Sequence, residues 1–133
     1  MTSEMYDRGL AIRKSVLGDA HVERSLQGAT DFSRPLQVLV TEYCWGATWG
    51  REGLDRRSRS LVNIGMLTAL ARQHELAVHV RGALVNGCTV DEIREVILQS
   101  AIYCGVPAAL EASRTAEGVL ADAGRLSEAS PET

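Results

Sequence analysis

The hydrophobic positions of this chain recur every three or four residues almost from end to end, and no segment alternates with a period of two. Such spacing is typical of amphipathic helices rather than strands. The clearest stripe follows residue 91 and should be buried along its whole length; its members are Ile93, Val96, Ile97, Ser100, Ala101 and Cys104. The pattern predicts an all-α protein, folded as a compact multi-helix domain.

Residues that start and stop helices divide this pattern. Thr89 and Glu92 have the spacing of a capping box, which predicts a helix start. Gly87 and Gly105 fit helix ends with a left-handed backbone, and Pro107 fits the first turn of a last helix. Earlier helices are predicted at about residues 3–17, at 21–27, from a cap at Ser33 to the glycine-rich break WGATWGREG, from a cap at Asp55 to about 72, and at 74–86.

Two of these helices carry broad apolar surfaces. The one after Ser33 has a single wide face made of Leu36, Leu39, Val40, Tyr43 and Cys44. The segment LVNIGMLTALA, which starts at Leu61, is apolar nearly all round and should be buried on most sides. We predict one folded domain over residues 1–122 and a disordered polar tail over 123–133.

Composition and charge limit the partners and the cellular location that can be expected. The net charge is only -3 and no basic block stands out, so nucleic acid is not an expected partner. No run approaches the ~20 apolar residues of a membrane span, and no signal-peptide core is present, so we expect a soluble cytoplasmic protein. Cys44, Cys88 and Cys104 are odd in number, far apart and without a Cys-x-x-Cys pair, which predicts reduced packing residues.

The segment HELAVH contains the histidine with the most chemical promise. Zinc-binding H-E-x-x-H motifs place two histidines four apart, whereas His74 and His79 are five apart and lie on different helix faces. Glu75 and His79 are four apart, so the carboxylate can hold the imidazole in one tautomer. Otherwise His79 is an ordinary core or surface histidine.

The segment WGREGLDRRSRSL puts three arginines in the first turn of a helix, where the helix dipole disfavours cations. Guanidinium groups beside free backbone N–H groups can instead form an anion site. Arg56 and Arg57 are expected to point into water. Arg59, next to the buried run, and Arg51 are the better candidates for such a site.

Trp45 and Trp49 stand four apart beside the glycine-rich break. They either pack in a core or form the wall of a pocket that keeps water from a reacting group. The residues alone therefore indicate a possible anion pocket of Arg51, Arg59 and His79, without naming a reaction.

Several segments over residues 6–121 together resemble the 4-carboxymuconolactone decarboxylase family: VLGDAHVERS, EYCWGATWGREGLDRRSRSL, ELAVHVRGALVNG and DEIREVILQSAIYCGVPAA. The wider family, which includes alkylhydroperoxidase-like proteins, shares mainly the later helices, so VLGDAHV favours the decarboxylase branch. The peroxidase branch has a Cys-x-x-Cys pair just before the histidine that His79 resembles, and this chain has ARQHELAVH there. Glu52 stands where the family pattern has proline.

The resemblance implies an all-α subunit in a ring-like homo-oligomer, a trimer or hexamer, that needs no metal or organic cofactor. It implies a dicarboxylate lactone of the protocatechuate branch of the β-ketoadipate pathway as substrate, decarboxylated to β-ketoadipate enol-lactone. The site residues that we expect are the general acid His79, the anion-binding Arg59 and Arg51, the walls Trp45 and Trp49, and the orienting carboxylates Glu42 and Glu75.

Two other functions stay open from the residues. A non-catalytic helical module could bind small acids or assemble without any reaction. A thiol-dependent peroxidase could use one of the three cysteines.

Overall fold

The computed structural model describes residues 2–132, which form two compact units, one ending at Asp55 and one beginning at Arg56. The described residues are helical and contain no β-strand, so the predicted all-α class is confirmed. No helix among residues 2–132 is both long and apolar enough to cross a membrane.

The first unit contains three α-helices and a π-helix: α1 (Glu4–Leu17), α2 (Asp19–Gln27), α3 (Arg34–Leu39) and the π-helix (Val40–Thr48). The last continues from α3 without a break. Its wider turn is visible where the backbone N–H of Trp49 donates to the carbonyl of Cys44, five residues earlier, at 2.9 Å. The Thr48 hydroxyl closes a similar loop onto the Tyr43 carbonyl at 2.9 Å. Such turns are rare and occur often at functional sites.

Helix α1 packs closely against the π-helix. Ile12 and Val16 on α1 meet Trp45 and Trp49 in a small core, where the two indole rings stack with centroids 4.9 Å apart. Gly9 lies where the two backbones come nearest, because a Cβ atom there would be 1.9 Å from the Thr41 carbonyl oxygen. The absence of a side chain at this position lets α1 reach the indoles.

The apolar face predicted after Ser33 was wrong. Leu36, Leu39 and Tyr43 are exposed, whereas the buried residues of this stretch are Thr41, Trp45 and Gly46. The π-helical turn rotates the positions after Val40 away from the spacing of an α-helix, so an α-helical pattern assigns them to the wrong side. A small residue such as Gly46 also permits a closer approach than the larger apolar residues would.

The first unit buries a cation that the sequence did not indicate. Arg13 is only 6% exposed, and its guanidinium donates to the Gln37 side chain at 2.9 Å and to the Thr41 hydroxyl at 3.2 Å. Burial lowers the pKa of Arg13, because the charged form loses hydration. These neutral acceptors tie α1 to the segment that carries both tryptophans.

The second unit is a bundle of four helices: α4 (Arg56–Ala69), α5 (Gln73–Val85), α6 (Val90–Cys104) and α7 (Val106–Asp122). Helix α4 packs against the other three, and α7 packs against both α5 and α6. Their inward faces form one apolar core, made of Ile64, Leu76, Val80, Ala83, Cys88, Val90, Ile93, Ile97, Ala109, Ala112, Ala116, Val119 and Leu120.

The helix boundaries of this unit follow the sequence signals. The Thr89 hydroxyl accepts from the Glu92 N–H at 3.0 Å, and the Glu92 carboxylate accepts from the Thr89 N–H at 2.8 Å, which confirms the capping box. Gly87 and Gly105 have φ of 90° and 105°, as predicted for helix ends. Pro107 lies in the first turn of α7.

The predicted burial of α4 was wrong, because only the stripe of Ser60, Ile64 and Thr68 is buried. Val62 and Met66 are exposed on the same helix. Leu61 and Leu67 pack partly against the core beside this stripe, so one side of α4 is buried and the other is on the surface of the single chain.

The cysteines also differ from the prediction. Cys88 is buried, but Cys44 and Cys104 are exposed rather than packed in a core. In each case the helix turns that position away from the centre of its unit.

The chain after α7 forms a short 3-10 helix (Leu126–Glu128), and Ser130 then contacts the start of α6. The Ser130 N–H donates to Asp91 at 2.8 Å, and the Arg94 guanidinium donates to the Ser130 carbonyl at 2.8 Å. Folding of residues 1–122 as one domain, with 123–133 as a disordered tail, stays a prediction.

Docking of this tail should depend on pH. Hydrogen bonds from the side chain and then the backbone of Ser130 hold the pKa of Asp91 below its ordinary value, and the charge of Arg94 acts in the same direction. A lowered pKa in the docked state means that the contact is complete above the ordinary aspartate pKa of about 3.9 and is lost as the pH falls through the lower docked value.

We therefore expect the Ser130 amide to be protected from hydrogen exchange at neutral pH and to lose that protection as the pH falls below the ordinary aspartate pKa of about 3.9. Asp91→Ala should remove the protection at every pH, whereas Asp122→Ala, at the end of α7, should leave it unchanged. An unprotected Ser130 amide in the wild type at neutral pH would favour the disordered tail instead.

Candidate functional site

Helices α4 and α5 bring His79 against a polar side chain of the neighbouring helix. His79 is half-buried on α5, and its Nδ1 atom lies 3.4 Å from Nδ2 of Asn63 on α4. This distance is at the long end of the range for a hydrogen bond. One nitrogen of the imidazole is thereby engaged by the protein itself.

A second polar contact joins the same two helices. Asn86, which directly follows the last residue of α5, donates from its amide to the Ser60 hydroxyl on α4 at 2.9 Å. Because the contacts pair Ser60 with Asn86 and Asn63 with His79, the two helices run antiparallel. The two contacts lie at different levels of this helix pair, and the one from Asn63 is the one that reaches the histidine.

Asn63 was missed by the sequence analysis. It is one of two polar residues, with Thr68, inside the apolar run that begins at Leu61, and it was grouped with that run. Its signal was available, since an amide that is removed from water needs a hydrogen-bond partner. The sequence could not show that this partner was His79.

Arg59 lies one helical turn before Asn63 on α4, so the two side chains share a face of that helix. It is half-buried, and its Nε atom is inaccessible to solvent. The two residues predicted to be catalytic, His79 and Arg59, therefore lie on adjacent helices. Asn63 contacts His79 and is one helical turn from Arg59. Glu75 is exposed one turn before His79, and the contact to Nδ1 comes from Asn63.

The other two arginines of the first turn have different environments. Arg56 is exposed, as expected. Arg57 forms an ion pair with Glu92, the carboxylate of the capping box, and its carbonyl accepts from the Cys88 thiol at 3.4 Å. The expectation that Arg57 only points into water was wrong, because the start of α6 lies beside it.

The remaining candidates belong to the first unit. Trp45 and Trp49 come together in its core, only 3% and 5% exposed, and Arg51 is exposed just after them. The Arg51 N–H donates to the Thr48 carbonyl at 3.1 Å, so the backbone of Arg51 continues from the end of the π-helix. The roles predicted for these three residues stay predictions.

Glu42 lies apart from the two indoles. It lines a groove of ≈ 310 Å³ in the first unit, together with Tyr6, Arg34 and Gln37, and neither tryptophan lines this groove. Its predicted role as an orienting carboxylate stays a prediction.

Cys44 is the cysteine with a perturbed titration. Desolvation raises the pKa of its thiol, and the nearby Arg13 charge opposes this effect. A thiol that resists ionisation is a poor nucleophile.

Comparison with known proteins gives a consistent family. The model of the carboxymuconolactone decarboxylase family matches residues 35–118, a range that contains all seven expected site residues. Over 121 residues the chain is 44% identical to a 4-carboxymuconolactone decarboxylase of Acinetobacter baylyi, covering 91% of this chain and 90% of that protein. Over 108 residues it is 48% identical to a nitrosuccinic acid decarboxylase of Metarhizium robertsii, covering 81% of this chain and 76% of that protein.

Proposed function

Because this chain belongs to the carboxymuconolactone decarboxylase family, we propose that it is a carboxy-lyase acting on 4-carboxymuconolactone. The products are β-ketoadipate enol-lactone and carbon dioxide, in the protocatechuate branch of the β-ketoadipate pathway. The similarity to the Acinetobacter baylyi enzyme, which extends over nearly the whole of both chains, carries this proposal. The test is to incubate the purified protein with 4-carboxymuconolactone and to follow the loss of the lactone and the release of carbon dioxide.

The substrate supplies its own electron sink. When the bond to the departing carboxylate breaks, its electron pair moves through the ring double bond to the lactone carbonyl and forms a dienolate. One proton must then reach the carbon beside that carbonyl. The protein has three tasks: to hold a dianion, to stabilise the developing oxyanion and to deliver that proton.

We assign the proton delivery to His79. An unperturbed imidazole has a pKa near 6.5, so both of its protonation states are accessible at neutral pH. The protonated ring gives its Nε2 proton to the carbon, becomes neutral and regains a proton from solvent. The contact between Nδ1 and Asn63 supports this assignment, since it holds the ring through one nitrogen, and we assign the other nitrogen, Nε2, to the substrate.

We assign anion binding to Arg59, whose position one turn from Asn63 supports a contact with the same ligand. A hydrogen bond to a charged group contributes about 1.5–3 kcal/mol, which is about ten- to a hundred-fold in rate. Arg59→Ala should therefore lower kcat/KM on the lactone by about that factor, and Arg59→Lys should recover only part of it, because lysine lacks the bidentate fork.

The matched control for Arg59 is Arg56→Ala, which removes an exposed arginine from the same helical turn. It should leave kcat/KM within about two-fold of the wild type, in line with the small effects of most surface charges. Equal losses in the two variants would show that the overall charge of this turn matters rather than a contact by Arg59. An unchanged Arg59→Ala variant would remove Arg59 from the mechanism.

For the first unit we propose roles from the family resemblance. Arg51 binds a carboxylate of the substrate, and Glu42 is an orienting carboxylate. Trp45 and Trp49 exclude water from the reacting groups, and their stacking also supports the end of the π-helix from which Arg51 emerges.

A second substrate has its own support in the similarity to the nitrosuccinic acid decarboxylase of Metarhizium robertsii. Nitrosuccinate is also a small dicarboxylate, and loss of the carboxylate beside its nitro group moves the electron pair onto the nitro oxygens. The requirement for an anion site and a proton donor is thus the same. Measuring kcat/KM for both compounds on one preparation decides which is preferred.

The cysteines support decarboxylation over a thiol peroxidase. The sequence has no Cys-x-x-Cys pair, and desolvation raises the pKa of Cys44. We also propose a cytoplasmic location, as expected from the sequence.

We further propose a homo-oligomer, which the family resemblance implies. The corner between α6 and α7 exposes a group of apolar side chains: Leu98, Ile102, Tyr103, Val106 and Leu110. Ile102 and Tyr103 are 80% and 82% exposed, and contiguous apolar patches of this kind commonly mark an interface between proteins. A second copy covering this corner would remove them from water.

The double variant Ile102→Asp with Tyr103→Asp should shift the protein from an oligomer towards a monomer in sedimentation velocity. Phe32→Asp, which changes an equally exposed apolar residue of the first unit, should leave the sedimentation coefficient unchanged. A wild-type chain that sediments as a monomer at micromolar concentration would contradict the proposal.

A further inference from the structure

Asn63 contacts His79 through an atom that can serve as a donor only. The amide Nδ2 of Asn63 lies 3.4 Å from Nδ1 of His79, and Nδ2 carries two protons and no lone pair for accepting. A hydrogen bond from Nδ2 requires Nδ1 to be the unprotonated nitrogen of a neutral ring. The single ring proton is then on Nε2.

Proton delivery needs a different state of the same pair. A neutral imidazole that lost its Nε2 proton would become an imidazolate, so the ring must first be protonated at Nδ1. The new Nδ1–H then needs an acceptor, and the Nδ2 group of Asn63 is not one. Rotation of the Asn63 amide by about 180° brings its Oδ1 atom to the same place and satisfies that proton.

We propose that Asn63 is a positioning residue that serves both protonation states of His79, donating from Nδ2 to the neutral ring and accepting at Oδ1 from the protonated one. Either way the ring stays in one orientation, with Nε2 as the nitrogen that delivers the proton. Use of this pair in decarboxylation rests on the function proposed above, whereas the tautomer of His79 does not.

Asn63 and His79 meet where α4 packs against α5. The nearest charged residue to Asn63 along α4 is Arg59, one turn earlier. Along α5, the charged residues nearest to His79 are Glu75, one turn earlier, and Arg81, two residues later, and both are exposed. Helix α7 also packs on α5, and its Thr115 hydroxyl contacts Gln73 at the other end of that helix. At the ring itself, the Nδ1 atom of His79 is contacted by the side chain of Asn63.

Two variants separate the role of Asn63 as a hydrogen-bond donor to His79 from its role as an acceptor. Asn63→Leu keeps a similar volume but neither donates nor accepts. Asn63→Asp can only accept while it is ionised, so it should force the neutral ring of His79 into the Nδ1–H form and raise its pKa by about one unit or more. Nitrogen-15 NMR of the imidazole, recorded against pH on the full-length protein, reports both the tautomer and the pKa of His79 without any substrate.

We expect the Nε2–H tautomer in the wild type, the Nδ1–H tautomer in Asn63→Asp and a mixture in Asn63→Leu. The matched control is Asn86→Leu, which removes the neighbouring contact between α4 and α5 and should leave the His79 tautomer unchanged. A wild-type Nδ1–H tautomer, or the same tautomer in all Asn63 variants, would overturn the proposal.

Kinetics on 4-carboxymuconolactone add a second readout. Asn63→Leu should lower kcat by about ten- to a hundred-fold with little change in KM, because it disturbs the proton donor rather than anion binding. Asn63→Asp should keep substantial activity and move the alkaline limb of the kcat–pH profile upward, in parallel with the pKa measured by NMR. If the wild type turns over no lactone, the proposed function fails while the tautomer result stands. An active wild type with an unshifted Asn63→Asp profile refutes the role of Asn63.

Discussion

His79→Ala is expected to lower kcat on 4-carboxymuconolactone by about 10²- to 10⁴-fold, the usual contribution of a general acid or base. The variant removes the group that we assign to proton delivery, while the anion-binding arginine on α4 remains. KM should therefore change much less than kcat. Steady-state kinetics over a range of pH, on protein whose circular dichroism matches the wild type, measure both quantities.

Two further variants sharpen this test. His79→Gln can still donate a hydrogen bond but cannot transfer a proton at neutral pH, so it should be nearly as inactive as His79→Ala. His74→Ala removes an exposed histidine from the same helix and should retain wild-type kcat. Substantial activity in His79→Gln would make His79 a hydrogen-bond donor rather than the general acid. Wild-type activity in His79→Ala would remove it from the mechanism altogether.

Among substitutions that add one methyl group to the first unit, Gly9→Ala is expected to cause the largest loss of stability. The added Cβ would lie 1.9 Å from the Thr41 carbonyl oxygen and 2.8 Å from the Gly46 nitrogen. Both are backbone atoms, so a whole helix must move away from its partner and from the stacked indoles. Overpacking costs about 1–3 kcal/mol and sometimes more, well above the gain of about 1 kcal/mol in helix propensity.

The chain offers a convenient probe and control for this prediction. Its two tryptophans, Trp45 and Trp49, are both in the first unit, so indole fluorescence during urea unfolding reports that unit. Gly9→Ala should lower the unfolding midpoint, whereas Gly118→Ala should raise stability slightly, because a Cβ on Gly118 in α7 meets no atom within 4 Å. An unchanged midpoint in Gly9→Ala would mean that α1 and the π-helix do not approach closely in solution.

Sequence reasoning succeeded where the responsible interactions are local. The capping box of Thr89 and Glu92 joins residues three apart, and the left-handed backbone of Gly87 and Gly105 follows from the steric freedom of glycine. Such features depend on a few neighbouring residues and are therefore encoded next to where they appear. The all-α class is of the same kind, since it reflects the spacing of apolar residues along the chain.

It failed where the outcome depends on which neighbour a helix meets. The apolar residues Val62 and Met66 look like core positions, yet α4 is buried along Ser60, Ile64 and Thr68, two of which are polar. Hydrophobicity indicates that a side chain would gain from burial, but packing geometry decides which face obtains it. The π-helix adds a second reason, because its wider turn changes the face on which Tyr43 was expected.

The candidate site also combines features that the sequence indicated with a feature that only the tertiary structure supplied. The sequence by itself identified His79 and Arg59 as residues with suitable chemistry, because an imidazole near neutral pKa and a guanidinium at a helix start carry their properties wherever they are placed. Only the tertiary structure supplied Asn63 as the partner of the imidazole, since the two residues are 16 apart in the chain and meet through the antiparallel contact of α4 with α5. Chemical capacity belongs to a side chain, whereas the protonation state that makes it useful is decided by the atom that the fold places beside it.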